Sequence, residues 1–166
     1  MIPREIAEEV RGSFMRATWQ RFDQAKPEYY RNNVVYPDME DETYSAGGWV
    51  TDFLDVDINA IFFRYIVPEM GINPDPKITV HLHGYRLGPG EHYRLHVDDS
   101  GATGFIWYLS KNWKPDWGGL LGETNEMKVT VPQFNKLVVR KAATPHLVTA
   151  VERWAKEPRY MLVGFF

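Results

Sequence analysis

Two residues with metal-binding side chains lie two positions apart near the middle of the chain. His96 and Asp98 are separated by one residue, and on a β-strand such side chains project from the same face. A second imidazole would complete the set of two histidines and one carboxylate that holds non-haem Fe(II) with open positions for oxygen chemistry. His146, which follows a Thr-Pro turn and opens a late strand, is the natural third ligand. An exposed pair that binds no metal is the alternative for His96 and Asp98.

An arginine at the start of the apolar C-terminal segment is a candidate anion-binding residue. Arg159 directly precedes Tyr160–Phe166, and a guanidinium that points inward from such a strand needs an anionic partner. Tyr85 and Tyr108 lie on strands expected to flank the same cavity, where phenol groups can bind carboxylate oxygens. The alternatives are an exposed arginine at a strand edge and tyrosines that serve only in packing.

The composition excludes several kinds of protein. The chain has no cysteine, which removes disulfides, thiolate catalysis and sulfur-bound zinc. Nineteen Lys and Arg against 22 Asp and Glu give a net charge of −3, which argues against nucleic acid as a partner. We see neither an apolar run of membrane-spanning length nor a secretory leader pattern, so we expect no membrane partner and a cytoplasmic location.

The pattern of residue types along the sequence changes near Lys77. Before it, helices are predicted over Pro3–Gln24 and Asp52–Tyr65, with an irregular segment, Glu28–Trp49, between them. After it, short β-branched and aromatic runs alternate with turn residues. The predicted strands are Ile78–Leu87, His92–Asp98, Thr103–Leu109, Leu120–Glu123, Lys128–Val131, Lys136–Arg140, His146–Val151 and Arg159–Phe166.

Eight strands that follow two helices predict a mostly β (α+β) fold. The spacing suits an antiparallel sandwich or jelly roll over about residues 77–166, supported by helices within about residues 1–70. A length of 166 residues is typical of a single domain with a core large enough to line a cavity. We therefore expect residues 1–166 to form one domain.

The first long predicted strand carries two further histidines. Alternation places Thr79, His81, His83 and Tyr85 on one face of this strand. If Tyr85 points into the cavity, both histidines do as well. We therefore expect at least one of them to contact substrate or to support the metal ligands. The alternative is a hydrogen-bonded histidine with no role in turnover.

Six segments of the C-terminal half form a linked set of motifs. They are GYRLGPGEHYRLHVDD over Gly84–Asp99, then IWYLSKNW, WGGLL, VPQFNKLVV, PHLVTAV and RYMLVGFF. In this order and spacing they resemble the prolyl-hydroxylase branch of the 2-oxoglutarate- and Fe(II)-dependent dioxygenases. The resemblance covers residues 78–166 and implies the double-stranded β-helix, a variant of the jelly roll.

The resemblance also implies roles for particular residues. The implied iron ligands are His96, Asp98 and His146. Arg159 and Tyr108 would bind the distal carboxylate of 2-oxoglutarate, and Tyr85 would bind near its metal-chelating end. With O2, the implied reaction converts 2-oxoglutarate to succinate and CO2 and hydroxylates a C–H bond. Asp98 favours hydroxylation, because relatives that halogenate lack this carboxylate. Met161 departs from the pattern, since many members carry a hydroxyl residue there.

The substrate implied by the resemblance is a prolyl residue, another amino acid or a peptide. A small natural-product intermediate is the alternative within the family. Nucleic-acid demethylation is disfavoured, because such relatives carry a second arginine where this chain has Phe165. Outside the family, a non-catalytic jelly-roll binding module would show no effect of 2-oxoglutarate on metal affinity. A cupin-type metalloenzyme that does not use 2-oxoglutarate would stay active without Arg159.

Overall fold

Two antiparallel sheets are the main elements in the part of the chain that the computed structural model describes, residues 1–22, 45–52, 54–72, 80–98, 103–141 and 143–165. The strands are β1 (Gln20–Arg21), β2 (Ser45–Ala46), β3 (Trp49–Thr51), β4 (His81–Leu87), β5 (His92–His96), β6 (Thr103–Tyr108), β7 (Leu121–Glu123), β8 (Lys128–Thr130), β9 (Lys136–Lys141), β10 (His146–Val148) and β11 (Arg159–Phe165). The larger sheet has the order β1-β3-β4-β11-β6-β9, and the smaller one has the order β2-β5-β10-β7-β8.

An apolar cluster fills the space between the two sheets. It includes Leu87, Tyr108 and Met161 from the larger sheet and Tyr93, Leu121 and Val148 from the smaller one. Because side chains alternate along a strand, the neighbours of Met161 on β11, Tyr160 and Leu162, point to the opposite face of the larger sheet. This sandwich of two sheets confirms the predicted double-stranded β-helix.

Helices cover the outer face of the larger sheet. They are α1 (Arg4–Arg16), α2 (Ile58–Ile61), a π-helical turn (Phe62–Ile66) and α3 (Val67–Glu69). A 3-10 turn (Pro115–Trp117) lies between β6 and β7. Val10 and Phe14 of α1 are spaced by one helical turn and pack in a second apolar cluster against Trp107 and Leu162. None of the helices in the described ranges is long and apolar enough to cross a membrane.

The first predicted helix is too long. It ends at Arg16, and Ala17 is already extended, with φ −64° and ψ 149°. Gln20 and Arg21 then pair with β3, because sheet pairing at the edge of the larger sheet overrides the helix propensity of these residues. Residues 23–24, the end of the predicted helix, lie outside the described residues.

The second predicted helix begins too early and ends too early. It starts at Ile58, because the Asp57 carboxylate accepts a hydrogen bond of 2.9 Å from the Ala60 N–H and caps the helix. It continues past Tyr65 to Glu69 and so includes Pro68. The π-helical turn, in which the Val67 N–H bonds to the Phe62 carbonyl, changes the hydrogen-bond register just before the proline.

Each of the eight predicted strands has a counterpart among β4–β11, in the predicted order and with shifted ends. β5 stops at His96 rather than Asp98, and β10 stops at Val148, while Val151 makes only isolated bridges. Strands β1, β2 and β3 were not predicted, since two or three residues are too short to show alternation. Most of the predicted irregular segment, residues 28–44, and the first residues of the predicted Ile78–Leu87 strand, 78–79, lie outside the described ranges.

Candidate metal centre

A row of three buried polar side chains crosses the smaller sheet. His146 on β10 lies directly opposite His96 on β5 and Glu123 on β7. Residues opposite each other in antiparallel strands project from the same face. The three residues are only 4–6% exposed. The sheet therefore presents two imidazoles and a carboxylate side by side.

Asp98 reaches this row from beyond the end of its strand. It lies two residues after β5 ends, so the prediction that it shares a strand with His96 is wrong in detail. Its carboxylate nevertheless faces both imidazoles, with Oδ1 3.7 Å from His96 Nε2 and Oδ2 3.7 Å from His146 Nε2. One donor atom from each of the three residues lies within 4.8 Å of the others.

A backbone carbonyl orients each imidazole. His96 Nδ1 lies 2.6 Å from the Arg94 carbonyl oxygen, and His146 Nδ1 lies 2.9 Å from that of Thr144. A carbonyl only accepts, so each Nδ1 carries the proton and donates it. The lone pair of each ring is then on Nε2, the atom that faces Asp98. This is the tautomer that a metal ion requires.

Burial keeps both imidazoles neutral. It lowers the pKa of His96. It also lowers the pKa of His146 to about 2, and the neighbouring His96 and the charged Arg140 act in the same direction. A neutral imidazole is the form that binds a metal ion. With one carboxylate, this donor set fits a divalent transition metal such as Fe(II).

Arg140 also enters the centre and was not identified from the sequence. Its Nη2 contacts Asp98 Oδ2 and lies 2.8 Å from His146 Nε2, and the residue is 7% exposed. It is on β9, where Val138 and Arg140 are buried and the residues between and after them are exposed. That alternation in the predicted strand was the available signal, because it places Arg140 on the same inward face as Val138.

A second buried guanidinium lies beside the phenol of Tyr108. Arg159 is fully buried, and its Nη2 donates to Tyr108 Oη at 3.3 Å. Its Nη1 contacts the sulfur of Met161, and its Nε has no hydrogen-bond partner among the described residues. Burial raises the pKa of Tyr108, so the phenol stays a neutral donor. The structure thus brings together the two residues expected at the distal carboxylate.

The remaining predicted residues lie along β4. Tyr85 packs against the cluster between the sheets, with its ring centroid 5.6 Å from that of Phe22. His83 is on the same face, and its Nδ1 lies 2.6 Å from Asp52 Oδ1. His81, at the start of β4, is exposed. The inner face of β4 therefore carries Tyr85 and His83, while His81 lies at the solvent-exposed start of the strand.

Comparisons with known proteins agree with this architecture. The chain is similar in structure to a Pseudomonas putida prolyl-4-hydroxylase (17% identity, 96% of this chain and 97% of that chain covered, TM-score 0.54). It is also similar to a viral collagen prolyl hydroxylase from Paramecium bursaria Chlorella virus-1 (13%, 96% and 89%, TM-score 0.57). A third is a Trichoplax adhaerens prolyl hydroxylase solved with a hypoxia-inducible-factor peptide fragment (14%, 98% and 89%, TM-score 0.53).

At these identities the likeness is one of fold, and the family follows from the sequence itself. No curated protein sequence matches the chain. The model of the 2OG-Fe(II) oxygenase superfamily matches residues 80–166, a range that contains the histidine and aspartate cluster and every strand from β4 onward. The chain belongs to this superfamily and is a 2-oxoglutarate-dependent dioxygenase that uses Fe(II), 2-oxoglutarate and O2.

Proposed function

We propose that the chain is a hydroxylase whose iron ligands are His96, Asp98 and His146. The observation that carries the proposal is the buried group of three donor atoms within 4.8 Å. It is supported by the two backbone carbonyls that turn Nε2 of each imidazole toward Asp98. The two imidazoles and the carboxylate leave positions on the ion open for other ligands.

The chain and the bound ion would have different roles in the reaction. The ion, with 2-oxoglutarate and O2, supplies the oxidation of an unactivated C–H bond and the release of succinate and CO2. The chain holds the three ligands in place and keeps their imidazoles neutral. The apolar cluster between the sheets, to which Tyr93 and Leu121 belong, excludes water from the surroundings of the centre.

The same proposal assigns the 2-oxoglutarate site to Arg159, Tyr108 and Tyr85. A fully buried guanidinium whose Nε has no hydrogen-bond partner within the described ranges suits a carboxylate, because charge-assisted hydrogen bonds would compensate for its burial. The neutral Tyr108 phenol would donate a second bond to the distal carboxylate. Tyr85 would bind nearer the chelating end, and its Cα partner across β4 and β11 is Met161, two residues from Arg159.

For the substrate, the proposal is a prolyl residue, another amino acid or a peptide. The structural relatives named above are described as prolyl hydroxylases, one of them solved with a peptide. A small natural-product intermediate is the second candidate. His83 would contact the substrate, since it lies on the inner face two residues before Tyr85. A binding module and a metalloenzyme independent of 2-oxoglutarate do not fit the superfamily.

We also propose that residues 1–166 form one domain. Strands β1 and β3 come from the N-terminal part, yet they extend the same sheet as β4 and β11. The α1 helix packs against that sheet through Val10 and Phe14. The N-terminal segment and the β-rich part therefore share one core.

Anaerobic titration with Fe(II), with and without 2-oxoglutarate, tests the metal centre. We expect a visible charge-transfer band only when both are present, because the band belongs to the chelate of the two. His146→Ala should abolish it, and His92→Ala, a histidine on β5 outside the cluster, should retain it. Arg159→Gln should shift the band to higher 2-oxoglutarate concentrations, about tenfold or more for the loss of a charge-assisted bond.

Two results would contradict the proposed centre. One is a folded wild-type chain without a band, and the other is a band that persists in His146→Ala. Once the band is observed, succinate release with prolyl peptides, free amino acids and small natural products as candidates identifies the substrate class. Release stimulated by none of the peptides and amino acids would contradict the first substrate assignment.

A further inference from the structure

We propose that Arg140 competes with the metal ion for Asp98 and His146, and that 2-oxoglutarate relieves this competition. The chain would then bind the metal and 2-oxoglutarate cooperatively. This inference rests on the proposed iron ligands and adds a residue outside the ligand set. Its basis is the position of one buried guanidinium.

Arg140 contacts the atoms that a metal ion needs. Its Nη2 contacts Asp98 Oδ2 and lies 2.8 Å from His146 Nε2 and 2.9 Å from His146 Nδ1. Since His146 Nδ1 donates to the Thr144 carbonyl, the ring has a single lone pair, on Nε2. That lone pair can accept a hydrogen bond from the guanidinium or bind an ion. It cannot do both, so the ion must displace Arg140.

Displacement of Arg140 is costly because of its burial. The side chain of Arg140 is 3% exposed and that of Asp98 is 16% exposed. Among the described residues the guanidinium contacts only Asp98, His146 and, at 3.5 Å, the Thr144 carbonyl. Once an ion takes Asp98, Arg140 loses its anionic partner and remains beside a divalent cation, where repulsion in a poorly hydrated site is strong.

The charges in the cavity indicate that an anion would have to compensate for the bound ion. Asp98 and Arg140 cancel each other, so a divalent ion adds two uncompensated positive charges. 2-Oxoglutarate carries two carboxylates, one for Arg159 and one, beside its keto group, for the metal end of the cavity. Arg140 lies at that end, in contact with both Asp98 and His146. The second carboxylate would therefore give the displaced guanidinium a new partner.

One protein anion is an alternative partner for Arg140. Glu123 lies next to His146 in the row across the smaller sheet. Its Oε2 is buried and has no hydrogen-bond partner in the part of the chain that the structure describes, and Lys128 Nζ is 3.6 Å away. If Glu123 received the guanidinium, metal binding would not depend on 2-oxoglutarate in this way. A Glu123→Gln variant separates the two partners.

Mn(II) binding, followed by the loss of the EPR signal of free Mn(II), tests the inference without turnover. We expect 2-oxoglutarate to raise the Mn(II) affinity of the wild type by about tenfold or more, within the usual range of coupling between sites. Arg140→Met should bind Mn(II) more tightly than the wild type when 2-oxoglutarate is absent, and should lose the part of the coupling that Arg140 contributes, while the part due to direct chelation of the ion remains. Lys141→Met removes an exposed charge next to Arg140 on β9. Its Mn(II) affinity and its coupling should match those of the wild type. Glu123→Gln should keep the coupling.

The possible outcomes separate this inference from the proposed function. A wild-type chain that binds no Mn(II) contradicts the ligand set and, with it, the inference. Wild-type binding that Arg140→Met leaves unchanged or weakens, or coupling that becomes large only in Glu123→Gln, contradicts the inference alone. If Arg140→Met does not fold, Arg140→Gln removes the charge and keeps a donor for Asp98. The same tighter binding and reduced coupling are then expected.

Discussion

At the scale of single residues, the same local geometry orients both imidazoles of the centre. In each case the backbone carbonyl two residues earlier, that of Arg94 or Thr144, accepts the Nδ1 proton. A contact over two residues needs no other part of the chain, so the local backbone sets the orientation of each imidazole. Asp98 depends instead on longer contacts, with Arg140 from β9 beside it.

Replacement of His83 tests its proposed contact with the substrate. We expect His83→Ala to raise the KM for the substrate found in the succinate screen by about tenfold, the value of one hydrogen bond of about 1.4 kcal/mol. The affinities for metal and 2-oxoglutarate should not change, because His83 pairs with Asp52 and not with the three ligands. Initial rates of succinate release give the KM.

His81→Ala is the matched control, since His81 is on the same strand but exposed. Its KM should stay close to that of the wild type. If His83→Ala also keeps the wild-type KM, the proposed substrate contact is wrong.

At the scale of elements, β4 connects the helical layer with the candidate site. Its inner face carries His83 and Tyr85, while Leu82 packs on the outer face in the cluster with α1. Gly84, also on the outer face, lets α1 come close, because a Cβ there would lie 2.2 Å from the Phe14 ring and 2.9 Å from Thr51. Helix docking and site geometry therefore depend on the same strand.

A methyl group at this contact should destabilise the fold. We expect Gly84→Ala to lower the free energy of unfolding by about 1–3 kcal/mol, since the overpacked Phe14 ring has to move. Urea denaturation measures the change. Gly12→Ala is the control within α1, where a Cβ would meet only the flexible end of Arg16 at 3.3 Å. The gain in helix propensity should make it stabilising by up to about 1 kcal/mol. Equal stability of Gly84→Ala and wild type would contradict this contact.

At the scale of the whole molecule, the buried centre makes stability depend on pH. In the chelator-treated chain the folded state keeps His96 and His146 neutral, since burial lowers the pKa of both. Unfolded histidines take up protons as the pH falls through the ordinary value of 6.5. Acid therefore favours the unfolded state, and the stabilising contribution of the neutral imidazoles is present above that pH and lost below it.

Urea denaturation between pH 6.5 and about pH 5 measures this dependence. The free energy of unfolding should fall by up to about 1.4 kcal/mol per pH unit for each of the two histidines. His146→Gln and His96→Gln should each remove the contribution of one histidine to the slope of the free energy of unfolding against pH. A wild-type slope that neither substitution reduces would contradict the assignment of the pH dependence to the centre.

The sequence by itself determined the chemistry and the order of the strands. The three donor residues, the late arginine and the alternating runs after Lys77 are local features, since side-chain type and strand period are readable within a few residues. They predicted the jelly roll, and the resemblance of the linked motifs predicted the superfamily; the structure and the family match confirm both. They also predicted the group of His96, Asp98 and His146 that the structure brings together.

Only the tertiary structure decided what surrounds these donors. The pairing of His146 with both His96 and Glu123, and the register shift between His146 and Val148, arise from strands far apart in the chain. Arg140 reaches Asp98 across 42 positions of sequence. Register between distant strands is set by packing and turn geometry together, and no local pattern contains it. For this reason the three clustered donor residues were readable from the sequence, and the buried arginine beside them was not.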